Sequence, residues 1–247
     1  MAVSIDTVYQ RVLVLANKEQ RGYITPQEFN LLANHAQMEI FEQYFYDIDQ
    51  FNRMPGNTQE FSDMLGVLYE KVGPFEVERD NSWMAANMPI VSGEWMSVPW
   101  DIMYKLGTIR LGGNQCEMLN SKDFDLARQS PLTSPTLSRP IAYLTEQGIA
   151  IYTSATQFIT WSNAQSIHGV GLNMGYTARP KKVQWAYVVI NDKPLYNDNI
   201  SDDFQLHSSE ETKLVYKILK LAGVNLRAQE VVQVADALEK AQHEQQK

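Results

Sequence analysis

Gly22-Tyr-Ile-Thr-Pro-Gln-Glu-Phe29 has two incompatible readings, and the choice between them decides what kind of fold opens the chain. Counted from Asn17, the spacing imitates a calcium loop, with Asn17 at position 1, Glu19 at 3, Gly22 at 6, Ile24 at 8 and Glu28 at 12. Position 5, however, is Arg21, a fixed cation where the ion needs an oxygen, and position 1 lacks a carboxylate. Read locally, the same residues start a helix: Thr25 is the N-cap, Pro26 the first helical residue and Glu28 the reciprocal partner of a capping box. The helical reading wins, and no metal or other cofactor is expected.

Working outward, Ser4 caps a first helix whose Ile5, Val8, Tyr9, Val12, Leu15 and Ala16 recur at helical spacing. The second helix runs from Pro26 to about Phe51, with Phe29, Leu32, Ala33, Ala36, Ile40 and Tyr44 on one side and Phe41 and Phe45 on another. Apolar round much of its circumference, it is expected to be central or shared with a neighbouring subunit. After a turn at Met54-Pro-Gly-Asn57, a third helix opens at Asn57 and Glu60, carries Phe61, Met64, Leu65, Leu68 and Val72, and stops at Gly73-Pro74.

From residue 75 to about 205 helical spacing fades. Strands are expected at 101–111, 115–119, 141–145, 149–153, 171–177 and 184–190, separated by turns such as Gly112-Gly-Asn, Glu146-Gln-Gly148 and Asn191-Asp-Lys-Pro194. Residues 128–140, with three prolines, read as an exposed contacting loop. Helices return at Ser208-Ser-Glu-Glu211, a capping box for a helix with Leu214, Val215, Ile218, Leu219 and Ala222 that closes at Gly223. A last helix capped by Asn225 carries Leu226, Val231, Val234, Ala235, Leu238 and Ala241, and ends in a polar tail. The expected fold is α+β: a helical bundle from residues 1–74 and 206–247, with a β-rich insertion at 75–205.

The 247 residues, 44% hydrophobic, suffice for a sizeable core. A net charge of −8 argues against nucleic-acid binding over the whole surface, because that affinity rests on Lys and Arg neutralising phosphates. Arg179-Pro-Lys-Lys182 is the one concentrated basic stretch. The lone Cys116 forms no intrachain disulfide and no thiolate cluster. Near the N-terminus the longest apolar run, Val12–Ala16, is too short for a signal segment or a membrane span, so a protein made in a cytoplasm is expected.

No residue pattern points to catalysis. His35, His168, His207 and His243 fall in different elements, without metal-ligand spacing, and no serine sits in a nucleophile turn. Gly169-Val-Gly171-Leu-Asn-Met-Gly175 nearly matches a dinucleotide fingerprint, but its third glycine is one residue late and a strand follows instead of a helix. Asp101, Asp123/Asp125 and Asp202/Asp203 are the candidates for a glycosidase pair, and each is also explained by a turn or cap. Trp83, Trp95 and Trp100 offer aromatic faces for a sugar, which gives a second reading: a soluble β-domain that binds carbohydrate or a receptor.

Four blocks carry a family resemblance: residues 8–47, Val98-Pro-Trp-Asp-Ile-Met-Tyr-Lys-Leu106, the strand ending Tyr176-Thr-Ala-Arg-Pro180, and residues 202–223. In this order they resemble the structural virion proteins of tailed bacteriophages, most of all the head-to-tail adaptor (connector, neck) type. The resemblance implies a ring of about twelve copies between portal and tail or nozzle protein, lining a channel through which genomic DNA passes. It places the protein in the virion neck after synthesis in the host bacterial cytoplasm, with no membrane partner. It also implies that a C-terminal segment reaches the portal, which makes Glu239, Lys240, His243, Glu244 and Lys247 the expected contact residues.

Overall fold

The computed structural model describes residues 2–18, 24–53, 59–91, 95–163, 171–191 and 193–225. Its helices are α1 (Ile5–Lys18), α2 (Pro26–Arg53), α3 (Gln59–Val72), α4 (Asn81–Asn87), α5 (Ser121–Gln129) and α6 (Glu211–Asn225). Its strands are β1 (Ala2–Val3), β2 (Glu76–Arg79), β3 (Ile90–Val91), β4 (Trp95–Met96), β5 (Met103–Leu111), β6 (Asn114–Gln115), β7 (Glu117–Leu119), β8 (Ile141–Thr145), β9 (Gly148–Tyr152), β10 (Phe158–Ile159), β11 (Leu172–Ala178), β12 (Tyr187–Ile190), β13 (Lys193–Tyr196) and β14 (Phe204–His207). The fold is α+β, with helices towards both ends and a β-rich middle, as the periodicity predicts. The chain forms two compact units, Met1–Pro74 with Pro180–Lys247, and Phe75–Arg179.

In the helical unit, α2 packs against α1's partner α6 and against α3. Its start is the expected capping box. Glu28 N donates to Thr25 Oγ1 at 3.3 Å, while Thr25 N and Oγ1 donate to Glu28 Oε2 at 3.0 and 2.8 Å. The bond from the Thr25 backbone, helped by that from its hydroxyl, holds the Glu28 carboxyl below the usual carboxylate range. The oxygen a calcium loop would use last is therefore committed to the helix; residues 19–23 of that reading lie outside the described residues. Ile5, Val8, Tyr9 and Val12 of α1 are buried, whereas Leu15 is partly exposed. The side-chain cap of α1 is not Ser4, whose carbonyl accepts from Val8 N. Ile5 N donates instead to Asp203 Oδ1 at 2.8 Å.

The buried stripe of α2 comprises Phe29, Ala33, Ala36, Ile40, Phe41 and Tyr44, together with the amide of Gln37. Gln37 belongs to a ladder. Asn30 exchanges two hydrogen bonds with the backbone of Trp185 (3.2 and 2.8 Å), and Asn34 two with that of Val183 (2.8 and 2.9 Å). Gln37 donates to Lys181 O and accepts from Gln205 N. One helix face thus does for an extended segment what a neighbouring strand would do, satisfying its backbone groups with amide side chains. This clasp corrects the expected boundary of the β-rich insertion. Residues 180–205 belong to the helical unit, and the β-rich unit ends at Arg179.

Two further boundaries differ. His207, rather than Ser208, caps the turn before α6, its Nδ1 accepting from Ser209 N at 3.3 Å. Helix α6 also runs through Gly223, its expected end, to Asn225. The expected cap of α3 at Asn57 and the helix after Asn225 lie outside the described residues.

Among its described residues the β-rich unit contains two sheets. The first has the order β3-β4-β9-β8-β7, with β10 also on β9; the second has the order β2-β11-β5-β6. Met96, Ile149 and Ile151 from the first sheet share one core with Met103, Ile109, Leu172 and Met174 from the second. On its other face the first sheet packs Ile141, Ala150 and Tyr152 against Phe124 of α5. Strand β9 is accordingly buried along its whole length, which explains its unbroken apolar run. The expected strand at 115–119 is two strands in different sheets: β6 pairs with β5, and beyond buried Cys116 β7 runs parallel to β8. A strand can turn such a corner between sheets at a short break in its ladder. Helices α4 and α5, capped by Asp80 and Asn120, were not among the expected elements, and because α5 runs to Gln129 the exposed loop starts at Ser130 and not at Arg128. The Gly112-Gly113 turn has both residues at positive φ (57° and 93°), as a two-residue hairpin requires.

Candidate interaction surface

The candidate acids are each engaged locally or stand apart. Asp123 N donates to the capping Asn120 Oδ1 at 2.9 Å and its carboxylate accepts from Asn120 Nδ2 at 2.6 Å, and Asp203 caps α1. Asp101 is exposed in a turn and Asp125 on α5, while the backbone of Asp202 bridges to Gln184. Asp101, Asp123 and Asp125 belong to one compact unit and Asp202 and Asp203 to the other. His35 pairs with Glu39 on the surface of α2 at 3.0 Å, and His207 is the cap described above; His168 and His243 lie outside the described residues. Burial pushes the Cys116 thiol up to about 12, far from a reactive thiolate. Among the described residues no group of three or more His, Cys, Asp or Glu side chains is placed to hold a metal ion.

The three tryptophans do not make a platform. Trp83 stacks on Tyr176 beneath Arg79, Trp95 packs edge-on to Tyr143 by the other core, and Trp100 is exposed in a turn.

One feature of the helical unit leaves a cluster of apolar side chains in the open. Strands β12 and β13 form an antiparallel ribbon that pairs Tyr187 with Tyr196, Val188 with Leu195, Val189 with Pro194 and Ile190 with Lys193. Asn191, at φ 50°, begins its turn, and asparagine tolerates this left-handed conformation better than most residues. The root is rigid. Trp185, 2% exposed, stacks on Tyr187 and Tyr196, lies 4.3 Å from the Tyr9 ring, and donates Nε1–H to Asp6 Oδ1 at 3.0 Å. Asn197 N donates to Ala186 O, and Ala186 N to Ser201 Oγ, closing the base.

Beyond that root the ribbon is apolar and open. Val188 is 48% exposed, Val189 60%, Ile190 51% and Leu195 51%. With side chains alternating across a strand, Val188, Ile190 and Leu195 share one face and Val189 stands on the other. A two-stranded ribbon is marginal by itself, and this one carries exposed apolar side chains on both faces. Sequence reasoning had Gln184–Ile190 as one strand and missed β13, because Pro194 reads as a strand breaker. The available signal was Asn-Asp between two short apolar runs. The expected contact residues Glu239, Lys240, His243, Glu244 and Lys247 lie outside the described residues.

No helix among the described residues is long and apolar enough to cross a membrane. No protein-family model matches the sequence, and no curated protein matches it.

Proposed function

We propose that this chain is a structural protein of tailed-phage virions, a head-to-tail adaptor whose copies form a ring between the portal and the tail. The observation that carries the reading is the apolar hairpin Tyr187–Tyr196, packed at its root and open on both faces, which suits joining proteins rather than chemistry. The ordered resemblance of four sequence blocks to adaptor proteins supports the same assignment. The surplus of acidic residues, −8 overall, suits a channel through which DNA must move without being gripped, since phosphates find few cations there.

The test is attachment. Purified protein mixed with portal-bearing heads should add a ring of density at the portal vertex in negative stain and sediment with the heads. Heads that remain unchanged at saturating protein would overturn the assignment. Binding of the isolated protein to a glycan array would favour the carbohydrate reading instead.

A further inference from the structure

We draw no further inference here: the strongest candidate, the half-exposed aliphatic surface of the β12–β13 hairpin together with the apolar groove between α1 and α6, carries nothing, because nothing in the structure shows what covers either.

Discussion

Among single residues, the ion pair Lys71–Glu210 carries the largest stake. It joins α3 to the turn before α6 at 2.6 Å, with Glu210 3% exposed, and Lys213 is buried beside it. Burial lowers the Lys213 amine, and the Glu210 charge partly opposes this. Glu210→Gln should cost about 3–5 kcal/mol in urea unfolding, because it strands buried cations, while Lys71→Met with Glu210→Leu should recover only part of that loss, since Lys213 stays buried without its carboxylate. Tyr44 behaves differently. Its hydroxyl is buried without a hydrogen-bond partner among the described residues, and burial, then the Glu210 and Asp47 charges, pushes its ionisation well up. Above about pH 10 the unfolded chain releases this proton while the folded chain keeps it, so stability falls as pH rises. Tyr44→Phe should change stability at neutral pH by less than about 1 kcal/mol and flatten the alkaline limb of the urea midpoint, whereas an unchanged limb would refute the assignment. The Thr25 capping box was legible because it is local; the Asp203 cap, 198 residues from Ile5, left no local trace.

At the scale of elements, long periodic segments were readable and short ones were not. Helices α1 and α2 announce themselves by spacing and caps. Helix α5 spans nine residues and buries Phe124, too little to stand out from a loop. The hairpin was half legible, its first strand from β-branched residues and its second hidden by Pro194. The amide ladder of α2 was invisible for another reason: Asn30, Asn34 and Gln37 look like the solvent face of a helix until their backbone partners are known. Asn34→Ala should cost about 2–4 kcal/mol, since the buried N–H and C=O of Val183 lose their partner together. A loss below about 0.5 kcal/mol in chemical denaturation would mean that water replaces the amide at no cost.

For the molecule as a whole, fold class followed from the alternation of helical and strand-like stretches, but the division into units did not. The expected insertion ended at 205 because turns and β-branched residues continue to that point. The actual unit ends at Arg179, because side chains of α2 claim the segment that follows. An isolated 75–179 fragment should therefore fold cooperatively and give a dispersed amide spectrum, whereas a 1–74 fragment should not. The clasp also sets a clock on synthesis. Gln37 meets Gln205 across 168 residues, and at about 5–20 residues per second the ribosome takes roughly 10–30 s to deliver that partner. During that interval the first three helices emerge with their apolar faces uncovered while the β-rich unit is completed behind them. The stretch most exposed to chaperones and to aggregation is thus the one translated first, and slower translation beyond codon 180 should lower the soluble yield more than the same delay placed after codon 225.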